Sequence, residues 1–128
     1  MPTREDDERL AEQWHDLMSR YHHTICALDR ALLDAHGITV SEFEVLQQLE
    51  RSGGASGEVR MHTLADNVHL SQSALSRVVA SLEKASLVER AVCVEDRRSV
   101  WVKLTNAGSH RLSEAKPTHR AVLHEQAS

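Results

Sequence analysis

Apolar residues recur along the first part of the chain at spacings of three or four: Leu10, Trp14, Leu17, Tyr21, Ile25, Leu28 and Leu32. They lie on one face of a helix, which predicts a long helix from about Asp6 to Ala35, stopped at Gly37. A helix of this length carries more apolar stripe than a small domain can cover, and the spacing suits packing against another helix. Taken alone, the stripe fits a dimer interface and the core helix of a monomer equally well.

A second helix is expected to open at Ser41, where Ser41-x-x-Glu44 forms a capping box, with Phe43, Leu46 and Leu49 on its buried face. It should end near Arg51, before the glycine-rich loop Ser52 to Gly57. No Gly-Lys-Ser/Thr follows that loop, so it does not read as a phosphate cradle. Val59 to Met61 suggests a short strand.

From Leu64 to Leu104 the pattern changes. His62 to Val68 reads as a short helix, His69-Leu70 as a tight turn, and Ser71 as the N-cap of a helix to about Ala85. Leu75, Val78, Val79 and Leu82 make that helix's inner face, while Gln72, Ser73, Ser76 and Arg77 begin its outer face. The Val-rich runs Val88 to Val94 and Ser99 to Leu104 bracket the tip Glu95-Asp96-Arg97-Arg98, which is a hairpin signal. Thr105 then caps a C-terminal helix that Pro117 kinks or restarts.

A helix able to lie in a major groove, followed by a basic hairpin able to reach the adjacent minor groove, is a winged helix-turn-helix. The fold class is mainly α with a small β-hairpin wing. Residues 1–36 would form an N-terminal dimerisation helix, 37–104 the DNA-binding region and 105–128 a C-terminal dimerisation segment of one intertwined domain. The DNA-contacting candidates are Ser71, Gln72, Ser73, Ser76, Arg77, Asp96, Arg97 and Arg98. Hydroxyl, amide and guanidinium groups are what base edges and phosphates bind. At the tip, Asp96 can hold a guanidinium by paired hydrogen bonds and so reduce the entropy lost on binding.

The 128 residues suffice for one domain with a real core. Net charge is −4, which at first argues against a nucleic-acid partner. Its distribution changes that: residues 1–59 hold five Arg against twelve acids, whereas residues 60–103 hold seven basic residues against five acids. No apolar run approaches the roughly 20 residues of a membrane helix. The acidic start, Glu5 to Glu8, is unlike a signal peptide, so a cytoplasmic location is expected. Cys26 and Cys93 form no metal-type spacing and no disulfide framework.

LADNVHLSQSALSRVVASLEKASLV and VEDRRSVWVKLTNAG resemble the MarR family of bacterial transcription regulators, and the resemblance runs from about Asp7 to Glu125. The family's Asp-x-Arg wing pattern, followed by Leu-Thr and a nearby Gly, is matched by Asp96, Arg97, Arg98, Leu104, Thr105 and Gly108. His69 stands where many helix-turn-helix sequences use Gly, Ser86 where the family often has Gly, and the segment up to Ser128 is shorter than usual, which implies either a truncated form or a smaller interface. The resemblance implies a homodimer with interlocked terminal helices, bound to a near-palindromic operator on double-stranded DNA. It also implies a small aromatic or phenolic ligand that weakens operator binding, hence a repressor with no cofactor.

Trp14, His15, Met18, His22 and Phe43 are the candidate ligand-binding residues. An aromatic wall beside imidazoles would suit a planar carboxylate or phenol. Rival readings have less support. No catalytic motif appears, so no enzyme is expected. His15, His22, His110 and His119 could meet as zinc ligands, although solvated or satisfied histidines are the commoner outcome. Cys26, beside Ile25 on the apolar stripe, and Cys93 on the hairpin could respond to oxidation. A winged helix can also bind protein, which the basic tip and the polar outer helix face argue against.

Overall fold

A computed structural model describes residues 1–54, 57–92 and 100–127. The element order is α1 (Arg4–His36), α2 (Val40–Ser52), β1 (Glu58–Arg60), α3 (Met61–Val68), α4 (Gln72–Lys84), β2 (Val88–Val92), β3 (Val100–Leu104) and α5 (Asn106–Ala127). The expected helices are all present. The expected tip, Glu95 to Arg98, lies outside the described residues, as does Cys93.

One core joins the C-terminal half of α1 to the other helices and the sheet. Leu32, Phe43, Leu46, Leu49, Leu64, Leu75, Leu82 and Leu112 are fully buried in it. The sheet has three antiparallel strands in the order β1-β3-β2, so the expected hairpin gains a third strand at its edge. Val59 pairs with Val102, and both are buried. Beside them Arg60 pairs with Trp101 and lies 5.0 Å above its ring.

Two details differ from the sequence reading. The second helix starts at Thr39, not Ser41: Thr39 accepts a hydrogen bond from Glu42 N, and Glu42 Oε1 accepts one from Thr39 N. Thr39-x-x-Glu42 and Ser41-x-x-Glu44 are equally good boxes in sequence. Burial of Ile38 and Val40, with Val40 N donating to Asp29 Oδ1 at 2.7 Å, selects the earlier one. Helix α5 also runs through Pro117 without a restart. Leu112, Ala115, His119 and Val122 are buried on both sides of the proline, and this packing outweighs the hydrogen bond that proline cannot donate.

The two positions where glycine is the common alternative in sequence are left-handed here, at φ 57° for His69 and 63° for Ser86. The backbone geometry is kept without the residue that adopts it most easily. His69 ends α3 and turns the chain into α4. Ser86 turns it from α4 into β2, with Ser86 O accepting from Thr105 Oγ1 at 2.7 Å.

Gly108 is buried where the N-terminal turn of α5 meets the segment after α4. Thr105 N donates to Leu87 O at 3.1 Å, and Gly108 N donates to Thr105 Oγ1 at 3.0 Å. A Cβ on Gly108 would stand 1.9 Å from Leu87 O, so only glycine lets the two backbones approach this closely.

The start of α1 has little beneath it. Leu10, Trp14, Leu17, Met18 and Tyr21 are all exposed; Ile25 packs against the edge of the core, and from Leu28 onward the stripe is inside it. Cys26, beside the stripe residue Ile25, is exposed as well, and its Sγ lies 3.7 Å from His22 Nε2.

Candidate nucleic-acid interface

Helix α4 is fixed on one side and free on the other. Leu75, Val79 and Leu82 are buried, and Ser71 Oγ caps the helix by accepting from Ala74 N at 3.1 Å. Gln72, Ser73, Ser76 and Arg77 are all exposed on the opposite side, as the spacing predicted. Ser71 is exposed too, and its capping role leaves its hydroxyl proton available to a phosphate. The helix N-terminus adds backbone N–H groups and a positive dipole end at the same edge. The wing base is tied to α4 by Arg90, whose Nη2 and Nε donate to Glu83 Oε1 at 2.8 and 3.2 Å. Those bonds hold the Glu83 carboxyl below its usual pKa. Asp96, Arg97 and Arg98 lie outside the described residues.

A helix-turn-helix followed by a winged sheet is the arrangement found in known regulators. A model of the MarR family matches residues 38–100. Among solved structures, AbsC of Streptomyces coelicolor, described as a MarR family transcriptional regulator, is 30% identical, with 94% of this chain and 78% of that one covered and a TM-score of 0.79. The chain belongs to the MarR family. Sco3205 of Streptomyces coelicolor, solved in complex with DNA, is 28% identical with a TM-score of 0.82, covering 94% of this chain and 72% of its own. MhqR of Bacillus subtilis (strain 168), an HTH-type transcriptional regulator, is 27% identical over 88% of this chain and 74% of its own. MarR-family proteins are transcription regulators, not enzymes. No described helix of this family member is long and apolar enough to cross a membrane.

A cleft of about 360 Å³ lies directly behind the helix-turn-helix turn of this MarR-family chain. Tyr21, Ile25 and Leu28 of α1 form one wall, and His119 and Leu123 of α5 another. Val40 and Glu44 of α2 and the turn residues Val68, His69 and Leu70 close it. Sequence reasoning did not name the residues that line this cleft. None of Trp14, His15, Met18, His22 and Phe43 lines the cleft. Trp14, His15, Met18 and His22 stand exposed on α1, and Phe43 is fully buried, stacked on His119 with ring centroids 4.2 Å apart. The miss has a plain cause, since four separate elements meet here from residues about a hundred positions apart, and no local spacing records that.

His119 is buried and held neutral. Arg120 Nη1 donates to its Nδ1 at 2.8 Å, which leaves the ring proton on Nε2, 3.5 Å from Glu44 Oε1. Arg120 Nη2 donates to Gln47 Oε1 at 2.8 Å. Burial, then the charges of Arg120 and Arg51, push the His119 pKa down to about 4. Burial raises the Glu44 pKa, and Arg51 and Arg120 pull against that. Among the described residues no three His, Cys, Asp or Glu side chains gather as metal ligands, and His110 instead pairs with Glu114 at 2.8 Å on the surface.

Neutral His119 makes the fold acid-sensitive. Because its folded pKa lies below the unfolded value, its stabilisation is complete above about pH 6.5 and is lost as pH falls toward 4. Glu44 acts oppositely, since a raised pKa favours the fold at low pH, but the histidine shift is the larger. Urea unfolding should therefore show about 2 kcal/mol of stability lost between pH 7 and 4.5 through this group. In His119→Gln that share of the acid slope should disappear. An unchanged slope would mean that the ring is not held neutral.

Proposed function

We propose that this protein is a homodimeric repressor that reads a near-palindromic operator on double-stranded DNA and is released by a small aromatic ligand. Gln72, Ser73, Ser76 and Arg77 enter the major groove, with Ser71 at a phosphate. Arg97 and Arg98 of the wing tip reach the flanking minor groove, and Asp96 orients one of them. The carrying observation is α4 itself, with one face locked in the core and a row of donors and acceptors left uncovered on the other. Sco3205, similar over 94% of this chain, was solved in complex with DNA, which supports DNA binding here. The uncovered stripe on α1 supports a second copy, whose two modules would address half-sites about one helical turn apart.

The cleft supports ligand release, because Val68, His69 and Leu70 belong both to its lining and to the junction that sets α4 against α3. An occupant that favours a different setting of α4 disfavours the half-site spacing that DNA requires. Selection of bound genomic fragments would supply the operator. On that operator, at fixed salt, Arg77→Ala is expected to cost about 1–3 kcal/mol, a loss of roughly fivefold to 150-fold. Unchanged affinity and specificity would remove α4 from the major groove.

A further inference from the structure

The cleft's charge does not suit the aromatic acids expected from sequence. Glu44 supplies the only carboxylate among its lining residues, and no Lys or Arg lines it. The guanidiniums whose charge reaches Glu44 are those of Arg51 and Arg120; neither lines the cleft, and Arg120 is engaged with His119 Nδ1 and Gln47 Oε1. We infer that the cleft binds a one- or two-ring apolar molecule bearing a protonated amine, with the ammonium against Glu44 and the rings among Ile25, Leu28, Val40 and Leu70. The inference rests on the ligand-released reading of this site and names the ligand class.

Several observations converge on a cation. Glu44 Oε1 is 3.5 Å from the His119 ring nitrogen, too long for a firm hydrogen bond, so the carboxylate retains lone pairs for an ammonium. Burial raises the cost of keeping this carboxylate charged, and a bound cation relieves that cost. His119, held neutral, supplies no positive charge to an acid. Tyr21 gives the lining an aromatic face, which can stabilise a cation further. At about 360 Å³ the cleft lies near the lower end for small-molecule sites, which suits one or two rings.

The test uses the full-length protein and three isosteric probes at neutral pH: 1-naphthylmethylamine, 1-naphthylmethanol and 1-naphthoic acid. Calorimetric titration is expected to rank the amine first, at least tenfold tighter than the alcohol, with the acid weakest. Glu44→Gln removes a charge that burial disfavours, so the fold should tolerate it; the amine's advantage over the alcohol should vanish while alcohol binding remains. The acid binding as tightly as the amine, or none of the three binding the wild-type protein, would overturn the inference. So would an amine advantage that survives in Glu44→Gln. An operator-release assay beside the titration separates the two readings. Glu44-dependent amine binding that leaves DNA bound sinks ligand release and upholds the cleft's ligand class.

Discussion

Leu17→Asp is expected to convert the protein to a monomer in sedimentation and to weaken operator binding by about a hundredfold or more. In the single chain Leu10 is 57% exposed, Trp14 61%, Leu17 57% and Tyr21 68%, so an aspartate there leaves the core untouched. A row of large apolar side chains on one long helix is unlike the scattered exposed apolar residues of an ordinary surface. In a dimer the same aspartate would be buried and unpaired. Linking two DNA-binding modules raises avidity by about 10²–10⁴ over one module, and that factor is what monomerisation removes. Circular dichroism should stay unchanged. A variant that remains dimeric and binds operator normally would place the interface elsewhere.

Gly108→Ala is expected to destabilise the fold by about 3 kcal/mol, read from urea or thermal unfolding. Two effects oppose each other. Helix propensity favours alanine over glycine by about 1 kcal/mol. The new Cβ would meet Leu87 O at 1.9 Å, and that oxygen is already held by Thr105 N at 3.1 Å. Relief requires moving α5 away from the end of α4, which breaks the Thr105 hydrogen bonds to Leu87 and Ser86. The contact is backbone against backbone, so no side chain can rotate out of the way. A stabilised variant would show that propensity dominates and that the close approach is slack. The motif Leu104-Thr105 with Gly108 thereby acquires a structural reason: Thr105 ties the segment after β3 to the exit of α4, and Gly108 lets α5 dock on that junction.

Local chemistry was legible in the sequence. The α1 stripe, the inner and outer faces of α4, the Ser71 cap and the paired Val-rich strands all depend on residues within a few positions of one another, and α4 appeared as read. The excess length of the α1 stripe was legible too, because it is a mismatch between one helix and the size of the chain. What depends on distant residues was not. Thr39 and Ser41 both begin a capping box, and only the burial of Val40 and its bond to Asp29 choose between them. Pro117 reads as a kink or a restart, and only packing on both sides of it shows that α5 continues without a restart. The partner of β1 is β3, about forty residues onward, and nothing within β1 names it. The cleft is the extreme case: α1, α2, the α3–α4 turn and α5 each contribute a few residues, and its lining carboxylate, Glu44, is set by burial against the charges of Arg51 and Arg120. Periodicity and capping are properties of one segment and can be read from it. How burial and neighbouring guanidiniums act on a carboxylate inside a cleft is a property of the assembled fold, because burial and competing hydrogen bonds exist only after the segments meet.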